Sequence, residues 1–411
     1  MVSQLAESIT ISVLIDIAGN TLDCFLFEGA APLGSNTGMS AVDATADTPR
    51  TPASSDQIST TVALVPAHNE EDCIAATVES LLAQDRRIDR IVVICDNCTD
   101  RTHEIASGYP VIAVSTEGNT HGKSGALNFG WQHYAQDADM VVCADADTIL
   151  PPSAVRCWAD ELRAGVGGIS GQVVMTGDSM LERMQRAEFS KSAQMGLGLG
   201  YVTVISGTGC CFSGTALRAV ARAAPERAPW SNVSITEDFH LTYQLRRAGW
   251  QTIMSASVPV HTRAMPTLRA LWHQRIKWHV GTISDLLSFG INRLTWRDWL
   301  KQAFGVLLIV FWVLYLTMLA LTAYLGLLRF TWLIFVIPVF FSVTEAWQAR
   351  LVNGRSWKDI ALAASLIPTY FYAVLTIGLL TTSWLRCLML RASAPSLWSA
   401  QYRAERRTAR S

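Results

Sequence analysis

An excess of charge of either sign is missing from this chain. Its 411 residues carry 33 Lys and Arg against 34 Asp and Glu, a formal net charge of −1. No global field draws it to a nucleic acid or an acidic polymer, and no nucleic-acid partner is expected. The basic residues that do cluster lie at the end, from Arg403 to Arg410. A disulfide framework is also missing: the nine cysteines are odd in number and irregular in spacing. Cys95-Asp-Asn-Cys98 is a lone C-x-x-C without a second pair, which argues against zinc. Cys210 and Cys211 stand between small and apolar residues and read as packed, reduced thiols in a cytosol-facing protein. No basic segment precedes the apolar residues 8–27, so a cleaved signal peptide is not expected. No G-x-G-x-x-G follows the first apolar run, which disfavours a dinucleotide fold of that type.

What is present divides the chain. Residues 1–31 form an apolar N-terminal segment, but Asp16 and Asp23 are costly inside a membrane. A surface-lying segment and a true span both stand. Residues 32–60, rich in Ser, Thr, Gly, Pro and Asp, read as a flexible linker. Residues 61–263 then alternate strand and helix patterns. Strands are expected at Thr61–Val65, Arg90–Cys95, Val111–Ser115 and in the run ending at Asp145. Helices are expected over Glu71–Gln84, Ser124–Tyr134 and residues 181–200. Such alternation predicts an α/β domain with a mostly parallel, doubly wound sheet.

Beyond it, residues 264–302 are rich in Trp, Leu, Arg and His, and suit amphipathic helices at a membrane interface; an ordinary surface helix with buried tryptophans is the alternative. Residues 303–385 hold apolar runs at Ala303–Leu328, Phe330–Thr344 and Ile360–Trp384, each near the roughly 20 residues that cross a bilayer. A multi-pass membrane protein with a cytosolic catalytic domain is expected. Arg350, Arg355 and Lys358 place the loop before the last run in the cytosol. The basic tail, 386–411, prefers the same side, which conflicts with a third full span and leaves a re-entrant last segment open.

The chemistry centres on Met140-Val-Val-Cys-Ala-Asp-Ala-Asp-Thr148, an apolar run ending in two carboxylates, Asp145 and Asp147. A buried strand that stops on acidic residues delivers them to the carboxyl edge of the sheet, where open α/β sheets bind ligands. Such a pair can hold one divalent cation, Mn²⁺ or Mg²⁺, that clamps a diphosphate. Ser206-Gly-Thr-Gly-Cys-Cys-Phe-Ser213 offers small residues for close backbone approach to a ligand. Glu237 and Asp238 open a helix for which Thr236 is the expected N-cap and Gly249 the stop. Read alone, they complement the helix dipole.

Taken in order, Val65-Pro-Ala-His-Asn-Glu70, Asp96-Asn-Cys-Thr-Asp100, Gly122-Lys-Ser-Gly-Ala-Leu-Asn128, Asp145-Ala-Asp147, Thr236-Glu-Asp238 and Gln274-Arg-Ile-Lys-Trp278 resemble the motifs of the membrane-integrated family 2 glycosyltransferases. That family includes chitin-oligosaccharide, hyaluronan, poly-N-acetylglucosamine and cellulose synthases. The resemblance covers roughly residues 60–385 and implies a GT-A nucleotide-sugar domain. It implies that Pro66, Ala67, Asn69 and Glu70 line a nucleoside pocket, that Asp96 meets the base or ribose, and that Lys123 lies near the phosphates. Asp145 and Asp147 would bind the nucleotide–metal unit, Asp238 would be the general base, and Glu237 would support it. Gln274, Arg275 and Trp278 match the QxxRW motif, with Lys277 where Arg is usual; Arg275 would face the leaving diphosphate and Trp278 the acceptor sugar.

His261 and Arg263 depart from the usual Tyr and Glu. The implied reaction is inverting transfer from a UDP-sugar, first N-acetylglucosamine, to a growing saccharide, with export of the product as an option. Single addition to a lipid-linked acceptor, and a non-catalytic membrane scaffold with a vestigial sugar-nucleotide domain, are the alternatives. Membrane lipids and a second copy of the chain are the further partners to be considered. No PilZ-like extension is visible, so control by a cyclic nucleotide within this chain is not expected.

Overall fold

The computed structural model describes residues 58–327, 333–350 and 356–390. The apolar N-terminal segment, nearly all of the linker, Arg355 and the tail from residue 391 onward lie outside the described residues. Seven strands form one sheet: β1 (Thr61–Ala67), β2 (Arg90–Asp96), β3 (Ile112–Thr116), β4 (Met140–Ala144), β5 (Val166–Thr176), β6 (Gly209–Ser213) and β7 (Gln251–Arg263). Their order is β3-β2-β1-β4-β6-β5-β7. β1, β2, β3 and β4 pair in parallel, as do β5 and β7, while β6 runs antiparallel to both of its neighbours. The mostly parallel sheet is therefore as expected.

Helices cover both faces, so the central strands read as continuous apolar runs rather than alternating ones. Side chains still part by face. Ala63, Val65, Val93 and Val142 pack with α1 (Ile74–Leu82) and, through Trp158, with α4 (Ala154–Glu161). Val62, Leu64, Val92, Ile94 and Val141 pack on the other face, against Leu127 of α3 (Gly122–Gly130), Leu217 of α6 (Gly214–Ala223) and Leu241 of α7 (Glu237–Arg247). Helix α2 (Thr102–Ser107) lies between β2 and β3 in the chain. α3 ends earlier than its periodicity suggests and continues as a π-helical turn, Trp131–Ala135. α5 (Met180–Leu199) starts at a capping box of Ser179 and Glu182 and ends at Gly200, whose φ of 69° suits a residue without a Cβ.

The C-terminal part is helical: α8 (Leu268–Phe289), α9 (Trp296–Tyr324), α10 (Leu333–Ala349), α11 (Trp357–Ala364) and α12 (Ile367–Leu385). Among the described residues, Trp296–Tyr324 and Ile367–Met389 are long and apolar enough to cross a membrane. α10 is shorter, at 17 residues. The expected continuous helix over Ile360–Trp384 is broken between α11 and α12. Leu366 adopts a φ of 58°, and Pro368 sits in the first turn of α12. Proline lacks the N–H that a through-helix needs there, and its ring clashes with the preceding turn. α12 packs along α8, with Leu375 and Leu379 against Leu271, Ile276 and Val280.

Candidate active site

Because β1 lies between β2 and β4 and all three run in parallel, their carboxyl ends meet along one edge. Pro66 and Ala67 close β1, and Asn69 follows at a φ of 58°, a left-handed conformation that asparagine tolerates better than most residues. Asn69 Oδ1 accepts from Thr99 N at 2.7 Å and so ties the β1 loop to the β2 loop. The backbone N–H of Glu70 donates to Thr102 Oγ1, and the Cys73 thiol donates to the Glu70 carboxylate. Burial, then that carboxylate, hold the Cys73 thiol protonated well above its ordinary range. Asp96 is only 6% exposed at the end of β2. Its Oδ1 accepts from Thr116 Oγ1 at 2.6 Å and Asn119 Nδ2 at 2.8 Å.

β4 ends at Ala144, and the next residue brings its carboxylate to the mouth of the site. Lys123, in the first turn of α3, places its Nζ 2.5 Å from Asp145 Oδ1 and 3.5 Å from Glu237 Oε1. Burial works against the ammonium, but Asp145 and then Glu237 outweigh it and hold the lysine well above its ordinary range. Asp147 Oδ2 accepts from Thr262 Oγ1 at 2.9 Å. Burial and then the Asp145 charge push the Asp147 carboxyl up. β7 is pinned beside this acidic turn, because Ile149 N donates to His261 O and His261 N to Ile149 O. That bridge sets Thr262 next to Asp147, while Arg263 is exposed.

Glu237 and Asp238 form the first turn of α7, and Glu237 is buried. Thr236 occupies the N-cap position but makes no capping bond; its hydroxyl donates to Asp285 instead. Nor does the helix dipole keep Asp238 at an ordinary carboxylate value. Burial, then the neighbouring Glu237, push Asp238 up to about 6, with Lys123 and Lys277 pulling the other way. The Ser206–Ser213 stretch does approach closely. A Cβ added to Gly207 would lie 2.8 Å from Lys123 Nζ and 3.9 Å from Asp238 Cβ.

The residues expected around QxxRW split. Gln274 is buried on α8, with an Oε1 that has no hydrogen-bond partner. Arg275 pairs with Glu188 at 2.8 Å and stacks over Trp278, 4.6 Å from the ring centroid. Trp278 also meets Phe189 edge-on. The pairing with Glu188 turns Arg275 toward α5. It is Lys277, one turn from Gln274 and buried, whose charge acts on Asp238. Asp285 is the residue that sequence reasoning missed altogether. It is 6% exposed, and its Oδ2 accepts from Ser234 Oγ at 2.7 Å and Thr236 Oγ1 at 3.1 Å. Burial pushes it up to about 7. The available signal was the spacing of Lys277, Gly281 and Asp285, which share one helical face.

The donor chemistry at Asp145 and Asp147 suits a hard divalent cation. Among the described residues no group of three or more His, Cys, Asp or Glu converges as a self-contained metal cage. A pair of carboxylates that leaves the remaining positions to substrate phosphates and water is the arrangement magnesium-type ions favour.

A family model described as "Glycosyltransferase like family 2" matches residues 59–281. The chain is similar to the beta-monoglucosyldiacylglycerol synthase of Synechocystis sp., 29% identical over 257 residues, covering 59% of this chain and 50% of that protein. The chain thus matches only half the length of that relative. It is also similar to the poly-beta-1,6-N-acetyl-D-glucosamine synthase of Staphylococcus epidermidis, 23% identical over 367 residues, covering 82% of this chain and 86% of that protein. A mannosyltransferase from Pyrobaculum calidifontis, solved with GDP-Man and Mn²⁺, superposes with a TM-score of 0.55 at 16% identity, over 82% of this chain and 89% of that one. That likeness is one of fold.

Proposed function

The chain belongs to glycosyltransferase-like family 2, and from that premise we propose that it is an inverting, metal-dependent, membrane-bound β-glycosyltransferase. It moves a sugar, N-acetylglucosamine or a related hexose, from a UDP-sugar to a growing oligo- or polysaccharide. The observation that carries this reading is the convergence of Asp145, Lys123, Glu237 and Asp238 at one sheet edge. Asp96 and the Pro66–Glu70 turn take the nucleoside on one side of that edge. Asp145 and Asp147 would hold Mn²⁺ or Mg²⁺, which supplies charge neutralisation for the departing diphosphate. Lys123 adds a fixed positive charge next to them. Asp238 accepts the proton of the acceptor hydroxyl as that oxygen attacks the anomeric carbon. A single displacement inverts the configuration and needs no protein nucleophile. Trp278 offers an aromatic face to the acceptor sugar.

The two long apolar helices support membrane association. We also propose a multi-pass arrangement with the catalytic domain in the cytosol, for which the basic residues Arg350, Arg355 and Lys358 are the support. A second reading, transfer to a lipid-linked acceptor, is favoured by an open cleft between α5 and helices α10–α12. Met184, Ala187, Leu362, Ala363 and Pro368 give it an apolar wall, and the ion pairs Arg183–Asp359 and Lys191–Glu345 supply polar groups beside them. Purified membranes incubated with a panel of labelled UDP-sugars test both readings. Label in a water-soluble, size-distributed product supports the polymer, and label extracted into organic solvent as a single species supports the lipid. No transfer from any UDP-sugar would overturn the enzymatic reading in favour of a membrane scaffold.

A further inference from the structure

We propose that Asp285 is a positioning residue for the transfer reaction: from α8 its carboxylate fixes the Ser234–Thr236 approach and thereby aims Asp238. The inference rests on the reading of Asp238 as the base. Both hydroxyls that donate to Asp285 Oδ2 belong to the short stretch that leads directly into Glu237 and Asp238. The same stretch is braced internally, since Thr236 N donates to Ser234 Oγ at 3.1 Å. α8 lies hard against it. A Cβ added to Gly281, one turn before Asp285, would sit 2.6 Å from Thr236 Cγ2.

On its own side of the turn, Asp238 is held less directly. Among the described residues its Oδ1 accepts from the next backbone N–H, Phe239 N at 2.7 Å, and Thr242 Oγ1 donates to its carbonyl. The hydroxyl that would ordinarily cap α7 is spent on Asp285, so the helix start is located by α8 rather than by its own cap. A buried carboxylate is costly unless hydrogen-bonded, and this one has two hydroxyl donors. Among the described residues, both of its side-chain hydrogen bonds go to the approach to Asp238.

The test is steady-state kinetics of the full-length protein in membranes, with UDP-sugar turnover as the readout. Displacing a reacting group by about 1 Å can cost roughly 10²-fold in rate. Asp285→Ala is therefore expected to lower kcat about 10–100-fold with donor KM unchanged within about twofold. Asp285→Asn keeps an acceptor oxygen for the hydroxyls and is expected to recover most of that loss. In an Asp238→Asn background, where the proton acceptor is gone, Asp285→Ala is expected to add less than about twofold. Ser234→Ala, a milder change on the other side of the contact, is expected to show a several-fold kcat loss with the same dependence on Asp238.

Parent-like turnover in Asp285→Ala and in Ser234→Ala would overturn the inference while leaving the base assignment intact. Equal losses in both backgrounds would overturn it too, by making Asp285 a merely structural carboxylate. Parent-like turnover in Asp238→Asn would overturn the base assignment and this inference with it.

Discussion

Asp238→Asn separates a base from a helix-capping carboxylate, because activity and stability should move in opposite directions. The Asp238 carboxyl lies at about 6, against an ordinary value of 3.8, through burial and the adjacent Glu237. Near pH 7 such a group is still about nine-tenths ionised and able to take a proton. Parent turnover should therefore rise about tenfold per pH unit below about 6 and level off above it. The Asn variant keeps the size but not the basicity, and should lose roughly 10²–10⁴-fold in turnover at pH 7.5 while still binding the UDP-sugar.

Stability follows from the same shift. The folded value lies above the unfolded one, so folding favours the protonated form. That benefit is complete below 3.8 and is lost as pH rises through about 6. Above that range the ionised side chain costs the fold up to about 3 kcal/mol, from a shift of roughly two units. Asn escapes this cost. The variant's melting temperature should exceed the parent's at pH 8 and converge with it near pH 4. Calorimetric titration with UDP-sugar, turnover across pH 5–9 and thermal melts at both pH values measure all three. Turnover near the parent rate, or a variant less stable at pH 8, would refute the reasoning and make Glu237 the candidate base.

Lys277→Gln removes a positive charge that lowers Asp238, so the acid limb of the pH–rate profile should move to higher pH; an unmoved limb would mean that Lys277 does not act on the base. Asp147→Ala, or excess chelator on the parent enzyme, should abolish transfer while the protein still folds and inserts, and activity retained in chelator would count against the metal. Gly207→Ala should leave the melting temperature nearly unchanged, because the atom in the way is the mobile end of Lys123. The same change should raise donor KM several-fold by moving the ammonium off Asp145, which Michaelis kinetics reads directly.

The strand ends were legible because a parallel sheet buried on both faces writes its strands as unbroken apolar runs, and two of the runs here stop on a carboxylate. Asp96 and Asp145 fall at the ends of β2 and β4 for that reason. The start of α7 was legible as a helix start but not in its chemistry. Threonine before two acids reads as an N-cap, and only the packing of α8 shows that its hydroxyl is drawn elsewhere. The break in the last apolar run was hidden for a different reason. Proline is tolerated inside membrane helices when neighbouring groups satisfy the freed carbonyl, so Pro368 alone did not say whether the helix bends or ends. Arg275 was assigned to the diphosphate on its place in a motif, and Glu188, distant in sequence, claims it in the structure.

Helix α8 explains why its polar residues were hard to read. An interfacial helix shows charge on the face that meets water, and Lys277 and Asp285 fit that description in one dimension. In the fold both are buried, at 6% exposure each. A buried charge is expensive unless an opposite charge or hydrogen bonds accompany it. Lys277 has the field of Asp238, and Asp285 has two hydroxyls. Among its other buried positions, Leu271, Ile276 and Val280 pack with Leu375 and Leu379 of α12. One helix thus lays its charged face on the Ser234–Asp238 turn and its apolar face on the helix expected to enter the membrane. A solvated surface helix would carry such charges on its water-facing side, not buried against the Ser234–Asp238 turn. The charges lie where they meet Asp238 and the turn that carries it, which is the pattern expected if they serve the proposed reaction rather than the fold.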